Sequence, residues 1–389
     1  MNSRVSGARR RSYSRISDGS RRGSVSERGA TGCRIVMVGG RRGGGKRYWC
    51  LQHMANATGT HGRREAKCVA AHTRIPKPVL LNIDQYRGGI ALWGAVPAVY
   101  DTTRQAVDRG IHTHARRRPT DTKEIDKTYR AIRLCGGALP PGGVIVSELD
   151  AIHFMVSSVF ELRVQAINCR YCGYPHLDRD YFSVHTHHRH LCAACGKYFE
   201  DGRVAISNQL GDLQRLCGFR AQEIRPATRT IALRQENFAG GIQVWGSNAA
   251  LLWTGEGHEE EGIHIHAYDN GSPNPVIDET YAEVSIDGVS IDPSMVRLLM
   301  AQNALPHLDG RIRSINCTRC TKEHYSQGAM AYTPTATHTC ISCGNRFSAP
   351  GRFKKTIANP LVAVLARLGG NAPRAPRILK LNLSVEKPR

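Results

Sequence analysis

From residue 78 onward, short runs of alternating apolar and polar positions recur, and the pattern occurs twice. Gly88-Gly89-Ile90-Ala91-Leu92-Trp93-Gly94 is answered 152 residues later by Gly240-Gly241-Ile242-Gln243-Val244-Trp245-Gly246. Gly110-Ile111-His112-Thr113-His114-Ala115 and Gly262-Ile263-His264-Ile265-His266-Ala267 keep the same offset, as do Ile125-Asp126-Lys127-Thr128-Tyr129 and Ile277-Asp278-Glu279-Thr280-Tyr281. Period-two alternation with β-branched and aromatic residues predicts strands. Residues 281–286 read as one further strand closed by an Asp287-Gly288 turn.

Helical signals follow the strands in both copies. Asp292-Pro293 is a cap residue followed by proline at the first helical position, opening a helix to about Ala304. In the first copy Ser147, with Asp150 as its capping-box partner, opens a helix through about Leu162. A short amphipathic helix is expected over 360–368.

Between these helices lies the most specific pattern. Cys169, Cys172, Cys192 and Cys195 form two CxxC knuckles, and Cys317, Cys320, Cys340 and Cys343 repeat them at an offset of 148. Thiolates paired this way are a zinc ligand set, so two structural zinc ribbons are expected at 167–199 and 315–347. Gly196 and Gly344 would permit the turn beneath each metal, with Phe199 and Phe347 packed behind it. The resemblance is to the generic zinc-ribbon fold and covers about 30 residues per copy. The shared His176, His324, His190 and His338 read as groups near the thiolates or on the ribbon surface; His185, His187 and His188 have no counterpart in the second copy. The fall in offset from 152 to 148 gives the first copy four extra residues between Tyr129 and Cys169.

The predicted fold class is therefore α+β: a tandem duplication of a β-rich unit, 78–222 and 228–370, each copy ending in a ribbon, with an internal pseudo-dimer as the natural packing. A basic tail occupies 371–389.

Composition alters the picture mainly at the N-terminus. The chain has 389 residues and a net charge of +22. Residues 1–75 hold 17 Lys/Arg against 3 Asp/Glu, so most of that charge belongs to an Arg/Ser/Gly-rich leader too poor in apolar residues to fold. The leader reads as a phosphate-neutralising arm, a targeting segment, or an over-extended start preceding Met54. Its Gly40-Arg-Arg-Gly-Gly-Gly45-Lys46-Arg47 imitates a phosphate-binding loop, but Arg47 replaces the required hydroxyl residue. Eight of thirteen cysteines lie in the knuckles and no long apolar run is present, which points to a reducing cytoplasm and no membrane contact.

Two chemistries compete. Basic residues flank both ribbons, Arg170, Arg179, Arg189 and Lys197 on the first and Arg319, Lys322 and Arg346 among those on the second, which suggests binding to nucleic acid or to a protein partner. Alternatively, His112 with His114 and His264 with His266 place two imidazoles on one face of a strand, with Asp126 and Asp278 as candidate third ligands. Those six residues would serve a metal-dependent enzyme, a hydrolase or a cupin-like oxygenase, although neither copy has the Glu that the cupin pattern places after the second His. The Glu259-Glu260-Glu261 run and Asp269 favour the second copy as the catalytic one. Trp93, Trp245, Tyr129 and Tyr281 read as core or interface anchors. No Gly-x-Ser-x-Gly elbow or deaminase signature is present.

Overall fold

A computed structural model describes residues 78–95, 98–103, 110–217, 224–247, 250–348 and 355–369. The leader, its glycine-rich imitation of a phosphate loop, Met54 and the 371–389 tail lie outside the described residues. The described residues form one compact unit of mixed α and β structure, mostly strands, with four α-helices among them.

In the first copy, β1 (Val79–Asn82), β2 (Gly89–Ala95), β3 (Tyr100–Asp101), β4 (Gly110–Arg116), β5 (Ile125–Tyr129), β6 (Ala131–Cys135) and β7 (Val144–Ser147) precede α1 (Glu148–Val159). Ribbon one contains β8 (Val164–Gln165), β9 (His187–Leu191) and β10 (Tyr198–Ser207), and is followed by α2 (Gln209–Cys217). The second copy runs through β11 (Ile224–Pro226), β12 (Thr230–Leu233), β13 (Gly241–Ser247), β14 (Leu252–Trp253), β15 (Glu259–Tyr268), β16 (Ile277–Tyr281), β17 (Glu283–Ile286) and β18 (Val289–Ile291) into α3 (Pro293–Asn303). Ribbon two then leads to α4 (Leu361–Arg367).

Both capping signals operate. Ser147 Oγ accepts from Asp150 N–H at 3.3 Å, and the Asp150 carboxylate accepts from Ser147 N–H at 2.8 Å. Asp292 Oδ1 accepts from Ser294 N–H and Met295 N–H. Helix α1 stops at Val159, short of Leu162, because Glu161 takes a left-handed φ of 54°. The 281–286 strand is divided. Tyr281 ends β16, and the chain then steps at Ala282 into β17 of a different sheet. The four extra residues of copy one are also a difference of two changes. Its β6–β7 hairpin is seven residues longer than β17–β18, while its path from helix cap to first knuckle is three shorter.

The central sheets share an equivalent antiparallel core, β2-β4-β5 in one copy and β13-β15-β16 in the other; β11 adds a parallel strand to β15 only in copy two. Trp93 lies opposite His112 and Trp245 opposite His264; His114 faces Asp126 and His266 faces Asp278. Neither sheet is completed by its own copy. After β2 the chain crosses over, so that β3 pairs with β13 (Tyr100 to Val244), and β14 returns to pair with β2 (Leu252 to Leu92). The paired Gly-Gly motifs permit this crossing. A Cβ on Gly89 would sit 2.4 Å from the Trp253 ring, and one on Gly241 would sit 2.4 Å from Thr103 Cα. A single apolar core runs from Leu81 through Ile111, Met155, Ile265 and Leu299 to Leu368, drawing on both copies. No helix among the described residues is long and apolar enough to cross a membrane.

Candidate metal centres

Each ribbon brings four sulfurs together. Cys169–Cys195 and Cys172–Cys192 Sγ atoms lie 3.8 and 3.6 Å apart; Cys317–Cys343 and Cys320–Cys340 both lie 3.6 Å apart. Disulfides require about 2.05 Å, whereas four sulfurs about 2.3 Å from one tetrahedral zinc lie roughly 3.8 Å apart. Backbone amides of Cys320 and Arg319 hold the Cys317 thiol down to about 6, so one thiolate of ribbon two forms near neutral pH. Gly196 and Gly344 both take φ of 68°, and Phe199 and Phe347 pack against the buried cysteines. These two groups are compatible with structural zinc sites.

The shared ribbon histidines are neither on the surface nor on the thiolates. His176, His190, His324 and His338 are all buried, with His176 and His190 against Phe199, and His324 and His338 against Phe347. His176 Nε2 meets Asp178 at 2.8 Å, and His338 Nε2 meets Thr356 Oγ1 at 3.1 Å. His187 joins the Asp178 carboxylate in ribbon one at 3.2 Å, while Ser326 and Thr335 stand at the equivalent positions of ribbon two.

The His-x-His strands converge on something different. In copy one, His112 Nε2 and His114 Nε2 are 3.0 Å apart, and Asp126 Oδ1 lies 3.2 and 3.3 Å from them. In copy two the same atoms of His264, His266 and Asp278 are separated by 3.0, 3.2 and 3.2 Å. Ligands about 2.1 Å from one cation lie roughly 3.0 Å apart at right angles and roughly 3.4 Å apart at the tetrahedral angle, so each trio matches one face of a coordination sphere. The arrangement follows from the strands: residues two apart share a face, and the antiparallel register sets the aspartate opposite the second histidine.

Partners on the far ring nitrogens orient the imidazoles. Thr128 Oγ1 is 3.2 Å from His112 Nδ1, and Thr280 Oγ1 is 3.2 Å from His264 Nδ1. Both threonines lie within the repeated motifs two residues after the aspartates; that spacing was the available signal for this role. His266 Nδ1 faces the Tyr268 hydroxyl at 3.3 Å, while His114 Nδ1 faces Glu259 of the other copy at 3.4 Å. Burial pushes the His264 imidazole down to about 4 and His112 below its usual value. Burial would raise the Asp126 and Asp278 carboxyls, but hydrogen bonds from their histidine pairs prevail and hold both well below the usual range. Burial would also lower His114, but hydrogen bonds to Asp126 and Glu259 prevail and raise it. The neutral imidazole beside an ionised carboxylate that a cation requires is thus favoured at His264 and His112 and opposed at His114.

His112 and His114 of the first trio, and all three members of the second, line one cavity of about 540 Å³ between the copies. Trp93 and Trp245 flank it, each ring edge-on to the second histidine of its own copy at 4.5 and 4.7 Å. They are thus half-buried walls of the site as well as packing groups. The two trios sense each other across the gap: the Asp278 charge raises the basicity of His112, and His112 lowers that of His264.

The acidic run of copy two does not supply its third ligand. Glu259 reaches across to His114 and Arg116 of copy one, Glu260 pairs with Arg229, and Glu261 pairs with Arg297. Asp269 is not among the cavity-lining residues. Copy two is nevertheless the more open centre, for another reason. In copy one, Lys123 Nζ lies 3.0 Å from Asp126 Oδ2 and 3.3 Å from His114 Nε2, and the residue at its position in copy two is Pro275. Tyr129 and Tyr281 stand behind the site, outside the cavity lining.

Comparison of the chain with protein families, curated proteins and solved structures gives no match.

Proposed function

We propose that this protein is a metal-dependent enzyme of hydrolytic type, in which His264, His266 and Asp278 hold a divalent transition-metal ion at a cavity between two duplicated halves. The reading rests on one observation: two histidine Nε2 atoms and a carboxylate oxygen converge within 3.2 Å on the wall of a cavity large enough for a small ligand. Three protein donors leave coordination positions open, and a cation there polarises a water or a carbonyl. The chain's own groups supply the remainder. Thr280 and Tyr268 fix the imidazoles, Trp245 forms an apolar wall, and His258 and Glu279 place proton-transfer groups on the lining. That acid–base lining favours hydrolysis over oxygen chemistry.

In the same reading Cys169, Cys172, Cys192, Cys195, Cys317, Cys320, Cys340 and Cys343 hold two zinc ions as closed structural sites, which suits a reducing compartment such as the cytoplasm. The reciprocal pairing of β3 and β14 supports an internal pseudo-dimer with the cavity lined by both halves.

Metal analysis of the purified full chain tests the proposal. Three metal ions per chain are expected, with His264→Ala losing one and retaining the two thiolate-bound ions. Hydrolysis of a chromogenic ester or phosphodiester is expected to require the lost ion. If only two ions bind after equilibration with Zn²⁺, Mn²⁺ or Fe²⁺, the enzyme reading fails, leaving a ribbon-based binding protein.

A further inference from the structure

The two ribbons share a metal site and a framework but differ at their tips. On ribbon one, Tyr171, Leu191 and Tyr198 are all exposed, Tyr198 by 58%. Leu191 and Tyr198 are cross-strand partners in the β9–β10 pairing and so share a face. Each tyrosine carries a cation. The Arg170 guanidinium and Lys197 ammonium both lie 5.0 Å from the Tyr171 ring centre, and the Arg189 guanidinium lies 4.7 Å from that of Tyr198.

Ribbon two is an internal control for what the metal and the fold require. At the six equivalent positions it has Thr318, Arg319, Thr337, Thr339, Asn345 and Arg346, with no aromatic or large apolar group. Its four sulfurs come together at the same spacing without them. The exposed rings of ribbon one are therefore not needed to build a ribbon. Exposed apolar groups that do not serve the fold mark a surface that another molecule covers.

We propose that the tip of ribbon one is a stacking platform for single-stranded nucleic acid. Unpaired bases stack on tyrosine faces irrespective of sequence, and cations already seated beside those faces meet the flanking phosphates. Duplex would present only its backbone to these groups, leaving the rings uncovered. The platform stands apart from the cavity between the copies and does not depend on its chemistry.

The test exchanges the tip residues of the full chain for those of ribbon two: Tyr171→Arg and Tyr198→Arg together. Ribbon two carries arginine at both positions, so the framework tolerates them. The double variant gains two positive charges, so simple electrostatic attraction predicts tighter binding, whereas stacking predicts weaker binding. Anisotropy titrations with a short fluorescent single-stranded oligonucleotide are expected to show an affinity loss of about tenfold or more, with the affinity for a duplex of the same length held or raised. Unchanged or tighter single-strand binding would overturn the platform. So would failure of the unaltered chain to bind single strands. Sedimentation of the unaltered chain and the variant covers the competing occupant: if the substitutions abolish self-association and leave oligonucleotide affinity unchanged, the tip is a contact between copies of the chain and the proposal is wrong.

Discussion

A single side chain separates the two His-His-Asp trios. Lys123 Nζ sits against Asp126 Oδ2 and His114 Nε2, offering the first trio a cation from within the chain. The second trio has no such group because Pro275 stands at that position. An ammonium on His114 Nε2 and on the second oxygen of Asp126 competes with a metal for the His114 lone pair and for the carboxylate charge. Replacing Lys123 by methionine keeps most of the side-chain volume and removes the charge. Lys123→Met is therefore expected to raise metal content from three ions per chain to four, as measured by elemental analysis after equilibration with Zn²⁺. A count that stays at three would mean that copy one is closed by something else, such as the Arg116–Glu259 pair beside it. Much of this was readable from sequence. The His-x-His spacing and both aspartates lie in the repeated motifs, because strand geometry places such residues on one face wherever the strand goes. Lys123 was not readable, because its effect depends on where a loop folds back.

At the scale of elements, ribbon one is tied to the helix behind it by a buried histidine. His153 on α1 faces Leu149 O with Nδ1, at 2.9 Å, and accepts the Asp180 N–H with Nε2, at 3.2 Å. That arrangement requires the neutral ring. Burial pushes His153 down to about 4 from an ordinary 6.5, with Arg179, Asp178 and Asp180 as the charged groups around it. The folded state thus binds fewer protons than the unfolded one between those values. The contribution is complete above about pH 6.5 and is lost as pH falls towards 4, with a ceiling of about 3 kcal/mol. His153→Gln replaces the titrating ring with a neutral amide and is expected to flatten the pH dependence of the denaturation midpoint in that window relative to the unaltered chain. Equal slopes for both proteins would show that the ring titrates normally. The helices themselves were legible because their caps are local: Ser147 with Asp150, and Asp292 before Pro293. The division of 281–286 between two sheets was not, since alternation looks the same whether or not a strand changes sheets.

The least legible feature is the one that joins the two copies into one unit. Strands β3 and β14 are two residues long, too short for periodicity to register, yet each completes the sheet of the other copy. Sequence repeats predict two copies packed as an internal pseudo-dimer; reciprocal exchange and a continuous core go further, making each copy's sheet partly the work of its neighbour. Leu252 makes the point testable. It belongs to copy two, is fully buried, and pairs with Leu92 in the sheet that carries His112 and His114. Truncation to alanine is expected to cost about 2–5 kcal/mol. With a shared core, that loss is distributed over the whole body: Leu252→Ala should lower the temperature of one cooperative calorimetric transition and weaken metal retention at His264 as well as loosening copy one. Independent domains would instead give two transitions, only one of them displaced, and the His264 centre, whose own strands are untouched by the substitution, would keep its metal.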